Sequence, residues 1–306
     1  MEYIEISNGI KLPAIGFGPG ICGYSAKCVR RRSGLLSIPG RVYNRLVKRP
    51  FIEKEYVGGI AGAIRGGYRL IDYSAAYGDG SLIAKGIKAS GISRDELILT
   101  TRVSNRAQFA GAESVRNEFF GQLKNMKTDY VDIFMFHWPV TGCYENTWKV
   151  MVELYEQGYV KILGVANCHE HHLEVLFNLT EVKPLINQFE VHPLFTQKKL
   201  IRYCLENGIR PEAYTPTARF DDRLVRLPLL HRMGKKYGKS VLQIILRWHV
   251  QNGVIPVVRA LNKSHQQENI GIFDFFLSED EMADIDGINI NARVRYDPDN
   301  CDFSIL

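Results

Sequence analysis

Polar side chains follow most of the short apolar runs in this sequence, close to the point where each run ends. These side chains can donate a proton, accept a hydrogen bond or stack on a ring, and they are Asp72, Tyr77, Arg102, His137, Asn167, Gln188, Tyr214 and Arg259. Burying so many unpaired polar groups would be costly, so a purely structural explanation has to account for each one separately. The pattern therefore predicts one polar site assembled from several elements.

The runs that precede these residues are short and apolar, which fits strands buried on both faces of a parallel sheet. They cover residues 14–18, 69–72, 97–101, 131–136, 162–166, 185–188, 210–214 and 254–258. Amphipathic stretches between them predict helices at about 52–66, 80–90, 113–126, 145–157, 169–178, 196–206, 239–250 and 264–271. In the third of these helices, Val115, Phe119 and Leu123 form one apolar stripe.

Strand and helix alternating eight times predict an α/β fold, a closed (β/α)8 TIM barrel. The start of the chain adds an N-terminal β-hairpin, because Asn8-Gly9 between two apolar runs suits a type I′ turn. An open doubly wound sheet is the competing topology, but no GxGxxG follows the first strand. In a barrel of this kind the chemistry collects at the carboxyl ends of the strands. No linker or repeat divides residues 1–306, so we expect one domain.

The composition is ordinary for a globular protein, with 45% hydrophobic and 24% charged residues and a net charge of +6. No signal peptide or membrane-spanning run is evident, and no nucleic-acid-binding motif accompanies the basic residues. The six cysteines show no regular spacing, so we expect free thiols in a reducing compartment. We therefore expect a cytoplasmic protein with neither a membrane nor a nucleic-acid partner.

Two local features have competing interpretations. Residues 19–50 form a basic insertion between the first strand and the first helix, which is either a solvated loop or an attractor of anionic cofactors or substrates. His169, His171 and His172 crowd the start of a helix, but the sequence offers no carboxylate or thiolate set to complete a metal shell. We therefore predict surface histidines and no metal site.

Several segments together resemble the aldo-keto reductase family over essentially the whole chain. Residues 67–78 are similar to the family signature GYRxIDTAxxYxN, and residues 131–139 are similar to its DLxxxHxP segment. Residues 164–167, 187–193 and 213–216 resemble three further family motifs in the correct order, and residues 268–278 close the pattern. The motifs are specific as an ordered set, each at a predicted strand end.

The resemblance implies NAD(P)H-dependent reduction of an aldehyde or ketone to an alcohol. It makes Tyr77 the general acid, Asp72 the partner of a neighbouring cation, and His137 the residue that orients the substrate carbonyl. A tyrosine has an ordinary pKa of about 10, so a cation nearby would make it a better acid. The family has lysine where this chain has Arg102, which is bulkier and planar.

The resemblance also assigns the cofactor contacts. Asn167 and Gln188 match residues that bind the nicotinamide carboxamide, and Tyr214 matches the aromatic residue under the nicotinamide ring. Arg259-Ala260 stands where the family has Lys-Ser for the 2′-phosphate of NADPH, and His265 stands where it has arginine; Glu268 and Asn269 remain near the adenine position. Arginine can bind phosphate with two hydrogen bonds, so we expect NADPH ahead of NADH.

Two other functions stay open because Arg102 replaces the family lysine. One is an NADPH-binding sensor or scaffold with little turnover, and the other is an epimerase or lyase that uses bound nicotinamide transiently. Net consumption of NADPH separates the three functions. For the reductase we expect a small carbonyl substrate, with an anionic one favoured if the basic insertion covers the site, and a monomer as the assembly.

Overall fold

A computed structural model describes residues 1–7, 9–20 and 49–305. The strands are β1 (Tyr3–Glu5), β2 (Lys11–Pro13), β3 (Gly16–Phe17), β4 (Leu70–Asp72), β5 (Ile98–Val103), β6 (Val131–Phe136), β7 (Val160–Ala166), β8 (Ile186–Glu190), β9 (Arg210–Tyr214) and β10 (Ile255–Val258). Strands β3 to β10 form a closed barrel in chain order, in which β10 pairs in parallel with β3. The predicted TIM-barrel fold is confirmed.

The helices alternate with the barrel strands, as the amphipathic stretches predict. They are α1 (Arg49–Arg65), α2 (Gly80–Ser90), α3 (Asn105–Ala110), α4 (Ala112–Met126), α5 (Tyr144–Glu156), α6 (Glu170–Leu179), α7 (Lys198–Glu206), α8 (Asp222–Val225), α9 (Pro228–Tyr237), α10 (Val241–Gln251), α11 (Lys263–Ile270) and α12 (Glu279–Asp286). Each predicted helix is present, with ends shifted by less than one turn. Helices α3, α8, α9 and α12 were not predicted.

Apolar stripes on the helices hold them against the barrel. Val115, Phe119 and Leu123 of α4 are buried, and the Phe119 ring lies 4.7 Å from the ring of Phe134 on β6. Burying a phenylalanine side chain stabilises the fold by about 1.5–3 kcal/mol relative to leaving it in water. The stripe predicted from the sequence therefore docks α4 on the strand that leads to His137.

The amino-terminal hairpin closes one end of the barrel. Strands β1 and β2 pair in an antiparallel sheet, which confirms the predicted hairpin; Asn8 of its turn lies outside the described residues. Ile6 and Leu12 are buried in one cluster with Leu70, Ile133 and Ile255 of the barrel strands. Because this end is filled by apolar side chains, the open end of the barrel is the one where the strands finish.

The charged residue inside β6 has a structural role at the closed end. The Asp132 carboxylate accepts a hydrogen bond from the Leu99 amide at 2.9 Å and pairs with Arg94 at 2.8 Å and Lys161 at 2.9 Å. This buried carboxylate is therefore satisfied by its own neighbours. The carboxylate links β5, β6 and β7 at the closed end of the barrel, and it does not belong to the candidate site at the carboxyl ends of the strands.

Two further expectations bear on the environment of the chain. Cys143, Cys168, Cys204 and Cys301 are free thiols, as predicted, whereas Cys22 and Cys28 lie outside the described residues. Within the described residues, no helix has the length and apolar character needed to cross a membrane.

Candidate active site

An ion pair between β4 and β5 occupies the centre of the open rim. The Nη2 atom of Arg102 lies 2.5 Å from Oδ1 of Asp72, and both side chains are buried. The Arg102 guanidinium also donates to the Tyr73 carbonyl at 3.1 Å and to Oε1 of Gln188 at 2.7 Å. A buried ion pair keeps its charges only where further hydrogen bonds complete it, as they do here. The structure thus places the arginine beside Asp72, where the resemblance puts the family lysine.

Tyr77 is the last residue of a short 3-10 helix, Ala75–Tyr77, which follows β4. Ser74 caps the start of this helix, and its hydroxyl accepts a hydrogen bond from the Ala76 amide. The half-buried Tyr77 ring meets the His137 ring edge-to-face, with centroids 6.1 Å apart and an interplanar angle of 86°. A phenol and an imidazole therefore lie next to each other, and the phenol is close enough to Asp72 and Arg102 for their charges to influence it.

The pKa of Tyr77 differs from the sequence-based expectation. Burial raises the pKa of Tyr77 above its ordinary value of 10.0, the Arg102 cation opposes this rise, and the Asp72 carboxylate adds to it. A cation does favour tyrosinate here, as expected, but removing the phenol from water outweighs that effect. Among the described residues, moreover, the hydrogen bonds of Arg102 go to Asp72, Tyr73 and Gln188 rather than to the Tyr77 hydroxyl.

Glu212 extends the polar network to β9, and sequence reasoning missed it. Its Oε2 accepts a hydrogen bond from Nε2 of Gln188 at 2.9 Å, so Gln188 links Arg102 to a second carboxylate. Burial, followed by the nearby Asp72 charge, raises the pKa of Glu212 to about 7. A carboxylate in the middle of a short strand, between Pro211 and Ala213, was the signal that could have revealed it.

Asn167 and Tyr214 form the next part of the rim. The Tyr214 hydroxyl donates to Oδ1 of Asn167 at 2.6 Å, and Nδ2 of Asn167 donates to the His137 carbonyl at 3.0 Å. Asn167 has a φ of 62°, a left-handed conformation that asparagine tolerates better than most residues. The predicted nicotinamide-binding residues thus brace the backbone of His137.

Arg259, Glu268 and Asn269 lie apart from this network, after β10 and on α11. The exposed Arg259 side chain crosses Gly20, where an added Cβ would come within 2.7 Å of its Cδ and Nε atoms. Gly20 also has a φ of +69°, a backbone conformation that favours glycine, whereas the exposed Arg259 side chain could move aside for a Cβ. Glu268 Oε2 lies 3.4 Å from Nδ1 of His265, at the surface.

The carboxyl-terminal tail, residues 293–303, crosses the open rim. The buried Glu190 carboxylate accepts hydrogen bonds from the backbone amides of Val294 and Arg295 at 2.6 and 2.8 Å. Farther along, the Phe303 ring packs 6.3 Å from the Trp138 ring, next to His137. The predicted basic insertion is not described between residues 21 and 48, so its place near the rim stays a prediction.

Comparison with known proteins agrees with this geometry. A sequence model of the Aldo/keto reductase family matches residues 49–290. The chain belongs to the aldo/keto reductase family. It is 43% identical over 253 residues to the uncharacterized oxidoreductase YtbE of Bacillus subtilis, covering 81% of this chain and 89% of that protein. It is 39% identical over 240 residues to glyoxal reductase of Bacillus subtilis, covering 78% of this chain and 86% of that enzyme.

A solved structure of the same family superposes along nearly the whole chain. The aldo-keto reductase of the silkworm Bombyx mori, crystallised in complex with NADP, has a TM-score of 0.82 and 28% identity, and covers 97% of this chain and 96% of its own. The resemblance stated from the sequence is therefore confirmed. As an aldo/keto reductase, the protein catalyses NAD(P)H-dependent reduction of aldehydes or ketones.

The polar groups left unpaired on this aldo/keto reductase fit a nicotinamide dinucleotide. Among the described residues, Oδ1 of Asn269 is buried and has no hydrogen-bond partner, so it can accept from an adenine amino group. Gln188 retains a second amide N–H for a carboxamide oxygen, although its other contacts go to Arg102 and Glu212. The exposed guanidinium of Arg259 suits a phosphate.

Proposed function

We propose that this aldo/keto reductase reduces small 2-oxoaldehydes to hydroxycarbonyl compounds with NADPH, with Tyr77 as the proton donor. The observation that carries the proposal is the contact of the Tyr77 and His137 rings, together with a buried Asp72–Arg102 pair close enough to influence the pKa of Tyr77. The names of relatives support the substrate class, since one is glyoxal reductase and another is methylglyoxal reductase DkgA of Escherichia coli, 34% identical over 253 residues.

The residues of this chain bind and orient the carbonyl substrate and supply the proton that its oxygen receives. NADPH supplies the hydride that reduces the carbonyl carbon. His137 donates a hydrogen bond to the carbonyl oxygen and fixes its direction, while the Tyr77 hydroxyl gives its proton to the same oxygen. Because Tyr77 becomes tyrosinate as the proton leaves, the positive charges of Arg102 and Arg295 lower the cost of that step. Asp72 keeps the Arg102 cation in place.

We infer that NADPH is preferred to NADH because the exposed Arg259 aligns with the family lysine that binds the 2′-phosphate. The silkworm enzyme was solved with NADP, and a further family structure, 26% identical, was solved with NADPH. Asn167 and Gln188 would bind the carboxamide, Tyr214 would stack under the nicotinamide ring, and Glu268 with Asn269 would hold the adenine. NADH remains the alternative that Arg259 should disfavour.

The finer properties of the protein form part of the same proposal. Among small carbonyl compounds, one that also carries a carboxylate should be reduced with a higher kcat/KM than its neutral analogue, because the basic insertion follows β3 and Arg295 lies close enough to Tyr77 to influence its pKa. The free thiols at Cys143, Cys168, Cys204 and Cys301 suit the reducing conditions of the cytoplasm. The protein acts as a monomer, as we infer from the family resemblance.

The test is to mix the purified protein with NADPH and methylglyoxal, and to follow both nicotinamide absorbance and the reduced product. One NADPH should be consumed for each molecule of hydroxycarbonyl product. Conversion of the substrate to a product of the same total oxidation level, without net NADPH loss, would favour an epimerase or lyase instead. No turnover of methylglyoxal, glyoxal or a carboxylated aldehyde, together with tight NADPH binding, would favour the sensor.

A further inference from the structure

Three histidines at the start of α6 meet an aspartate from the carboxyl-terminal tail. Nδ1 of His169 lies 2.7 Å from Oδ2 of Asp299, and Nε2 of His171 lies 3.2 Å from Oδ1 of the same carboxylate. Nε2 of His172 is 3.8 Å from that oxygen. One ligand atom from each of the four residues falls within 4.8 Å of all the others. The sequence alone does not connect a carboxylate to these histidines, whereas the structure brings Asp299, 127 or more positions distant in sequence, next to them.

The hydrogen bonds decide which of these atoms can bind a metal. Nδ1 of His172 accepts a hydrogen bond from the His169 backbone amide at 3.1 Å, so the neutral His172 ring carries its proton on Nε2. That N–H points toward Asp299 and cannot ligate a cation without breaking the helix cap. Nδ1 of His169 and Nε2 of His171 face the Asp299 carboxylate instead, so a metal would replace these two contacts; the His169 ring also belongs to the capping box of α6, whereas the His171 side chain is 60% exposed.

We propose that His169, His171 and Asp299 form a binding site for a divalent transition metal of the zinc class, with His172 as a positioning residue for the Asp299 carboxylate. Two imidazoles and one carboxylate favour Zn²⁺, Co²⁺, Ni²⁺ or Cu²⁺ over Mg²⁺ or Ca²⁺. With metal–ligand bonds of about 2.0–2.1 Å, tetrahedral ligand atoms lie about 3.3 Å apart. The two histidine–carboxylate separations, 2.7 Å to Oδ2 and 3.2 Å to Oδ1, and the limit of 4.8 Å on every pair of ligand atoms bracket this value, so side-chain adjustment is enough to bring the three ligands around one ion.

The position of the site gives the metal a structural consequence. Asp299 lies between two points at which the tail is fastened to the rim, namely the Glu190 contacts to Val294 and Arg295 and the packing of Phe303 on Trp138. Helix α6 begins shortly after β7 and Asn167, the predicted nicotinamide-binding residue. A bound ion would therefore link the carboxyl-terminal tail to this end of β7. Metal binding should therefore restrict the motion of the carboxyl-terminal tail, residues 293–303, where it crosses the open rim.

The experiment measures Co²⁺ binding to tag-free protein by visible absorption, with Zn²⁺ competition. The wild type should bind one Co²⁺ that Zn²⁺ displaces, and His171→Ala and Asp299→Asn should each weaken binding roughly tenfold or more. His231→Gln, at an exposed histidine of α9, is the matched control and should bind as the wild type does. Circular dichroism with a chelator present should show that all four proteins are equally folded.

Two results would overturn the proposal. One is equal Co²⁺ affinity in the wild type, His171→Ala and Asp299→Asn, and the other is a thiolate charge-transfer band, which would assign the metal to a cysteine such as Cys301. Limited proteolysis supplies an independent readout: Zn²⁺ should slow cleavage within residues 293–303 of the wild type and leave the rate in Asp299→Asn unchanged. Because no step needs NADPH or a carbonyl substrate, failure of this proposal is separate from failure of the proposed reductase activity.

Discussion

Glu212→Gln should change how the stability of the protein depends on pH. Glu212 is 1% exposed, and burial raises its pKa from an ordinary 4.5 to about 7. Oε1 of this carboxylate has no hydrogen-bond partner among the described residues, while Oε2 accepts from Gln188. A glutamine has nearly the same shape and can still accept that hydrogen bond, so the substitution removes the titrating proton with little change in packing.

The size of this pH-dependent change in the free energy of unfolding follows from the raised pKa of Glu212. In the unfolded chain Glu212 loses its proton near pH 4.5, whereas in the folded protein it keeps the proton until about pH 7. The folded state therefore binds more protons than the unfolded state in this window, and stability falls as pH rises through it. A tenfold change in proton affinity corresponds to about 1.4 kcal/mol, so the full loss is about 3 kcal/mol.

Urea denaturation of the wild type and Glu212→Gln at several pH values between about 4.5 and 8 measures this effect. The variant should gain stability relative to the wild type as pH rises, reaching a difference of about 3 kcal/mol above pH 7. His172 and His249 also have altered pKa values, but they are common to both proteins and cancel in the difference. Glu156→Gln, on the exposed face of α5, is the matched control. A constant difference across the pH range would refute the reasoning about Glu212.

Three further substitutions test other contacts. Arg102→Lys keeps a cation beside Asp72 but frees the oxygen of Gln188. In steady-state assays kcat for a neutral aldehyde should rise, because lysine is less bulky than arginine, while the NADPH Kd stays nearly constant. An unchanged kcat would show that Arg102 does not act on Tyr77. Arg259→Ala should weaken NADPH by about 1.5–3 kcal/mol and barely affect NADH in fluorescence titrations, and equal losses would place Arg259 away from the phosphate. Glu190→Gln should lower the free energy of unfolding by about 1–3 kcal/mol in urea denaturation, because the new side-chain N–H would face the backbone N–H of Val294 or Arg295. Unchanged stability would show that Glu190 does not hold the carboxyl-terminal tail.

The barrel could be predicted from the sequence because strand and helix patterns are local. Strands β6 and β9 begin and end where the apolar runs do, and Phe119 packs as its stripe indicates. Helix α12 was missed although Ser278 and Glu281 form a capping box at its start, a signal present in the sequence. Helix α9 was not predicted either, although Pro228 in its first turn and Gly238 at its end are start and stop signals of a helix.

Contacts between distant parts of the chain could not be predicted in the same way. The network from Arg102 through Gln188 to Glu212 depends on which side chains of β5, β8 and β9 point inward, and this follows from the register of the closed barrel. The same is true of Asp299, which no local pattern connects to His169. The residue types at the strand ends can be identified from the sequence. The side chains that they contact can be identified only from the tertiary structure.

The most direct test of the account compares Tyr77→Phe with the wild type in NADPH-dependent reduction of methylglyoxal. The variant should bind NADPH with nearly the same Kd, while its kcat falls roughly 10²–10⁴-fold, the usual contribution of a positioned general acid. Tyr155→Phe, at an exposed tyrosine of α5, should retain wild-type kcat. If Tyr77→Phe instead keeps kcat within about threefold of the wild type, far less than a positioned acid contributes, then another group protonates the product and the assignment of Tyr77 is wrong.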